Sequence, residues 1–126
     1  MDQADTLFVK AQKYLQSAAL LYELEDFDSS VSRSYFSMFY AVQACLMAEA
    51  GGIPSRQSIR SAFIQRFVDS GRLPSHAADI LREAADLQEV ADYAHDFAIT
   101  ADSAARILQE AEAFVNSLAQ LTRQYV

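Results

Sequence analysis

Within Ser32–Leu46, "SRSYFSMFYAVQACL", an arginine and a tyrosine stand seven residues apart on a segment that is apolar almost all the way round. If the segment is a helix, Arg33 and Tyr40 differ by only about 20° around its axis and by roughly 10 Å along it. Ser29, Ser37 and Ala44 fall close to the same line. A guanidinium in such a setting requires a carboxylate, a phosphate or water, because burying it unpaired is strongly unfavourable. Two kinds of partner suit it. One is a structural carboxylate such as Asp92 or Glu89; the other is a phosphate, met in a cleft or at a seam between two copies of the chain.

The remaining titratable residues offer fewer options. Arg56, Arg60, Arg66 and Arg72, against the single acid Asp69, give residues 56–72 a local excess of +3 in a chain whose net charge is −7, so the rest carries −10. A chain this acidic does not hold polyanions by bulk charge, and any phosphate has to be met locally. Arg56 and Arg60 lie one turn apart and could share an anion. His76 follows Pro74-Ser75 at a helix start, where an exposed side chain is expected, and His95 lies in "DYAHDF", near Asp92 and, as a neighbour, Asp96. Cys45 is alone, which rules out an internal disulfide and suits a reducing compartment. There is no Cys/His cluster, glycine-rich phosphate loop or nucleophile elbow, and "ELEDFD" lacks the spacing and glycine of a calcium loop. Neither a metal nor a cofactor is expected.

The elements that must position these residues are helices. The 126 residues are 52% hydrophobic yet include only three glycines and two prolines, too few breakers for a sheet of short strands. Period and punctuation give five segments: about Gln3–Leu24, Ser29–Ala50, Pro54–Asp69, Ser75–Tyr93, and, after a cap at Thr100, a last helix to about Arg123. The expected architecture is all-α, a single five-helix up-and-down bundle over residues 1–126. Helix two carries a heptad stripe of small residues, Ser30, Ser34, Ser37, Ala41, Ala44 and Ala48, against which another helix should lie closely. Its opposite side, Val31, Tyr35, Met38, Val42 and Leu46, should face the core. No apolar run is long enough for a membrane span, and "MDQADTLFVK" lacks the basic start of a secretory signal, so a cytoplasmic location is expected.

Four stretches in order now point to a family. "SSVSRSYFSMFYAVQACLMAEAG" resembles the signature helix of the HEPN domain, which in small prokaryotic members often reads S-R-A-Y-Y-A-M-F-H-A-A-R-A-L-L. "SAFIQRFVDSGRLP" and "LQEVADY" are similar to that group's next two motifs, and "SAARILQEAEAFVNSL" to its last helix, so the resemblance spans about residues 5–120. It implies a helical bundle, commonly a homodimer, here through the apolar and small-residue surface of helix two. It also implies a partner of the minimal nucleotidyltransferase type in a toxin–antitoxin or related pair. Many members are metal-independent endoribonucleases that cut RNA in the dimer cleft, using an arginine followed, after four to six residues, by a histidine. Arg33 matches the arginine; the histidine position falls on Tyr40. The tyrosine that some partners modify with AMP, two positions on, is Val42 here.

That exchange alters the expected chemistry. Arg33 can still bind phosphate and stabilise charge on a phosphorane. A phenol, with a reference pKa of about 10, is a poor base at neutral pH even if Arg33 lowers that value, and losing a general base typically costs about 10²- to 10⁴-fold. The expectation is therefore a non-catalytic or weakly active module that binds nucleotide, RNA or its partner protein. Arg33, Ser37, Arg56 and Arg60 would hold phosphate, with Asp92 and His95 in support. The alternative is an endoribonuclease toxin working through Arg33 and Tyr40.

Overall fold

Aspartates shape the first helix and the first corner. In the computed structural model, which describes residues 2–49, 55–95 and 98–124 without the side chains of Arg56 and Gln124, helix α1 spans Gln3–Glu23. Its start is a capping box: the Asp2 carboxylate accepts from the Asp5 amide at 2.8 Å, and the Asp5 carboxylate accepts from the Asp2 amide at 3.4 Å. At its end the Asp26 amide donates to Leu21 O and the Glu25 amide to Tyr22 O, both at 2.9 Å, with Glu25 in the left-handed region at φ 62°. This is a Schellman closure with glutamate where glycine is usual. Asp26 then caps helix α2, Phe27–Ala48, by accepting from the Ser29 amide at 3.3 Å. Of the "ELEDFD" carboxylates, that of Asp26 thus serves the reversal between two antiparallel helices, and α2 starts two residues before the expected Ser29.

The third segment is not the uniform helix expected from the sequence. A 3₁₀ turn at Arg56–Ser58 leads into α3, Ile59–Phe63, and then into a π turn, Ile64–Val68, closed by the Asp69 amide donating to Ile64 O at 2.8 Å. Phe63 and Phe67 are both buried there, stacked with centroids 5.4 Å apart. Gly71, at φ 85°, turns the chain towards α4, Ser75–Tyr93. Helix α5, Ala101–Gln124, is capped as anticipated, with Thr100 Oγ1 accepting from the Ser103 amide at 3.1 Å. Helix α2 ends at Ala48, and residues 50–54, where the sequence placed the end of helix two and the start of the third segment, lie outside the described residues. Among the described residues every element is helical, so the all-α bundle is the observed fold.

Helix α2 is the centre of that bundle and touches α1, α3, α4 and α5. Val31, Met38, Val42 and Leu46 are fully buried on one side, and most of them share a core with Phe63, Leu81, Ile107, Phe114 and Leu118. The small-residue stripe faces α1. Ser30, Ser34, Ser37, Ala41 and Ala44 have no exposed surface, and Ser30 Oγ donates to Ala18 O on α1 at 2.8 Å. A side chain as short as serine reaches a carbonyl on another helix only where the two helices approach closely. This corrects one expectation: from Ser30 to Ala44 the stripe is consumed inside the fold, leaving only Ala48 at its end exposed, so a seam between two copies cannot use the stripe as a whole. Any seam on α2 has to use its outward face, where Phe36, Phe39, Tyr40, Gln43 and Met47 are half-buried.

The close approach makes Ala41 intolerant of bulk. Ala41→Leu is expected to destabilise the protein by about 1–3 kcal/mol through overpacking between α1 and α2. The same change at exposed Ala113 should cost less than about 0.5 kcal/mol. Urea denaturation midpoints at constant slope would test the contrast.

Candidate functional site

Arg33 is exposed, and its partner is an aromatic ring. The guanidinium carbon lies 4.8 Å from the ring centre of Tyr14 on α1. Tyr14 meets Tyr40 edge-to-face, with centroids 5.0 Å apart and planes at 70°. Lys10 Nζ lies 4.6 Å from the ring centre of Tyr40. The cluster therefore runs Lys10, Tyr40, Tyr14, Arg33, with two cations flanking two phenols. The geometry follows from the antiparallel pairing of α1 and α2. Lys10 and Tyr14 are one turn apart on α1, Arg33 and Tyr40 two turns apart on α2, and the partners run in opposite chain directions.

Among the described residues, no carboxylate comes within ion-pair distance of Arg33 or Lys10. The structural carboxylate that the sequence offered for Arg33 is engaged elsewhere. Asp92 Oδ2 accepts from Gln88 Nε2 at 2.5 Å and from Ser32 Oγ at 3.2 Å, which ties the end of α4 to the residue preceding Arg33. Glu89 makes no ion pair with Arg33. An arginine stacked on a phenol ring keeps the donor edge of its guanidinium open to an anion, since cation–π contact uses only the face.

Tyr40 departs from expectation in the direction of its acidity. Its partial burial and the neighbouring Tyr14 hydroxyl raise its pKa above the ordinary phenol value, and Lys10 offsets only part of this. Arg33, expected to lower it, sits on the other ring. At neutral pH Tyr40 is therefore a protonated hydrogen-bond donor and not a base.

The other anticipated residues separate. Ser37 has no exposed surface and its Oγ donates to Ser34 O at 2.6 Å, so the phosphate-holding role expected for it has no route to solvent. Arg60 is exposed but lines a groove between α2, α3 and α4, together with Phe36, Phe39, Gln88, Glu89 and Tyr93. The side chain of Arg56 lies outside the described residues, as does Asp96, the suggested partner of His95. His95 and His76 are both exposed. Arg72 stacks over Phe67 at 4.3 Å and pairs with Glu49 at 2.6 Å, so the basic segment does not converge on one spot. Cys45 is buried beside Thr122, and burial pushes its thiol up to about 11, away from nucleophilic chemistry. No group of metal-binding side chains occurs among the described residues. Lys10 and Tyr14 were not singled out from sequence. The available signal was Tyr14 on the inward stripe of α1 with a lysine one turn before it, which reads equally well as core and solvated edge.

Comparison with known proteins supplies the wider frame. The HEPN domain pattern is matched by residues 4–121. The protein named "Putative toxin MJ0142" from Methanocaldococcus jannaschii is 28% identical over 124 residues, covering 98% of this chain and 82% of its own length. A protein named "UPF0332 protein glr0978" from Gloeobacter violaceus is 38% identical over 87 residues, 69% of each chain. In three dimensions the fold is similar to the crystal structure of TT1696 from Thermus thermophilus, with a TM-score of 0.81 at 16% identity, covering 96% of this chain and 99% of that one.

The cluster gives Tyr40 a distinctive titration. The difference in alkaline ultraviolet absorbance between the wild type and Tyr40→Phe should show a phenol ionising above about 10. Lys10→Met should move it higher still, because the lysine charge is the factor that lowers it. Since the folded state holds this proton more tightly than the unfolded chain, Tyr40's contribution to stability is lost as pH rises above the unfolded value, and Tyr40→Phe should soften that alkaline loss in urea titrations.

Proposed function

The chain belongs to the HEPN domain family, and on that premise we propose that it is the HEPN module of a toxin–antitoxin-like pair, one that holds single-stranded RNA by its phosphates and cleaves it slowly or not at all. The observation that carries this is the cluster of Lys10, Tyr40, Tyr14 and Arg33. Its successive spacings of 4.6, 5.0 and 4.8 Å hold the two cations within about 14 Å of one another. Arg33 presents a charged fork of donors to a phosphate, and Lys10 presents a second positive charge further along the same surface. The phenols between them add neutral donors. Charge at this spot matters more than usual because the chain as a whole carries a net charge of −7, which does not attract RNA by itself.

Metal-free cleavage of RNA needs a base to take the 2′-hydroxyl proton, and this surface lacks one. The phenol of Tyr40 is held in its protonated form, and no imidazole among the described residues contacts Arg33 or Tyr40. Binding without efficient turnover follows. The toxin designation of the archaeal relative supports the pair-wise setting. A homodimer, assembled through the outward face of α2, and a nucleotidyltransferase-like partner complete the proposed assembly. A homodimer would bring two clusters to one cleft.

The test uses short fluorescent single-stranded RNA, with anisotropy read at several salt concentrations and cleavage read in the presence of a chelator. Arg33→Ala and Lys10→Ala should each weaken binding and reduce the slope of log affinity against log salt by roughly one contact. Tyr40→His should cut RNA at least about 10²-fold faster than the wild type, while Arg33→Ala in that background should be inactive. Wild-type cleavage as fast as that of Tyr40→His would overturn the non-catalytic reading in favour of the endoribonuclease.

A further inference from the structure

One turn beyond Arg33 on α2, Phe36 forms part of a groove of about 370 Å³ between α2, α3 and α4. That turn advances only about 4.5 Å along the helix, so the groove adjoins the Arg33 surface. Its position is fixed from both sides. Phe36 and Phe39 lean on the buried Tyr35 ring, with centroids 5.1 and 6.0 Å away, which gives the groove a rigid aromatic wall. On the opposite side Gln88 is held by Asp92, itself bonded to Ser32 beside Arg33. Tyr93, at the end of α4, leaves 72% of its surface in solvent although it is a large aromatic residue. Arg60 and Glu89 both line this groove, yet they form no ion pair with one another.

We propose that this groove is a base-reading pocket for an unpaired guanine, one nucleotide along from the phosphate held at Arg33; the proposal rests on the RNA-binding reading above. Aromatic walls with a polar rim are how proteins hold splayed bases of single-stranded RNA: rings stack and side chains read the exposed edge. The rim here is an exposed carboxylate and an exposed guanidinium, and that combination selects among the bases. The Watson–Crick edge of guanine places two adjacent donors, N1–H and N2–H, where the two oxygens of Glu89 can accept both. The same edge ends in the O6 acceptor, which suits Arg60. Adenine and cytosine set an acceptor beside their amino group, and uracil flanks its single N–H with two carbonyls. Each of these turns a lone pair towards a carboxylate. Tyr93 supplies a stacking face that is otherwise an uncompensated exposed ring.

The deciding experiment compares two fluorescent RNA hexamers, UUUGUU and its inosine counterpart UUUIUU, which lacks only the N2 amino group. The wild type should bind the guanine hexamer about tenfold more tightly than the inosine one, as expected for losing one hydrogen bond to a charged acceptor. Glu89→Gln should bring that ratio close to one without weakening the inosine hexamer. Tyr93→Ala should weaken both hexamers together, and Arg33→Ala should weaken both while preserving their ratio. Equal wild-type affinity for the two hexamers would overturn the guanine pocket alone, provided Arg33→Ala still weakens both. Hexamer binding that Arg33→Ala leaves untouched would overturn the RNA-binding reading and the pocket with it. If Glu89→Gln instead changes the mass measured by light scattering and not the hexamer ratio, the groove is occupied by a second copy and the pocket proposal fails.

Discussion

The rest of the structure depends on how closely α1 lies against α2. A stripe of serines and alanines removes the bulk that would otherwise hold the two helices apart, and Ser30 marks the contact by reaching the Ala18 carbonyl. Because the corner at Glu25 is short, the pairing is antiparallel and its register is fixed from one end. That register brings Tyr14 to Arg33 and Lys10 to Tyr40. A change in register of one residue would rotate each α1 side chain by about 100° and dissolve the cluster. The cluster of two cations and two phenols is thus a by-product of a packing decision made by some of the smallest side chains in the molecule.

The cluster also accounts for an arginine on a mostly apolar helix. A guanidinium pairs with a carboxylate when one is near, and this acidic chain has seventeen acidic residues to offer. None of those described takes Arg33. Stacking on Tyr14 holds the side chain in place at modest energetic gain, about 0.5–1 kcal/mol at an exposed site. It leaves the charge uncompensated, which is the condition a phosphate site needs. The acid that might have neutralised it, Asp92, is turned aside by Gln88 and Ser32.

Much of this was legible beforehand. The paucity of glycine and proline, the cap at Thr100, and the heptad of small residues give the helices and the centrality of α2, because each is a local signal. Arg33 and Tyr40 announce themselves by spacing and by the resemblance of their helix to the HEPN signature. What sequence could not supply is which helix lies over them. Lys10 and Tyr14 belong to a different helix, and the pairing that matters spans roughly twenty to thirty residues of chain. The direction of the Tyr40 shift is hidden from sequence for the same reason, since it is set by burial and by the Tyr14 phenol from α1, against the pull of Lys10, and not by the arginine on its own helix. Ser37 was misplaced because one helical line can pass from exposed to buried once a neighbour covers it.

Position 40 is where the fold and the chemistry meet. Any side chain there lies between the Tyr14 ring and the Lys10 ammonium. A phenol responds by keeping its proton, because burial outweighs the pull of the lysine. An imidazole would respond differently: burial and a like charge both oppose its protonated form, so it would be neutral at physiological pH. A neutral imidazole is a base and not an acid. The frame that α1 builds around position 40 therefore suits removal of a proton, and tyrosine is the occupant that leaves that capacity unused. On the proposed reading, the proton-transfer deficit would reside in one side chain, while the cations offered to phosphate are placed by the pairing of two helices, whatever residue stands at position 40.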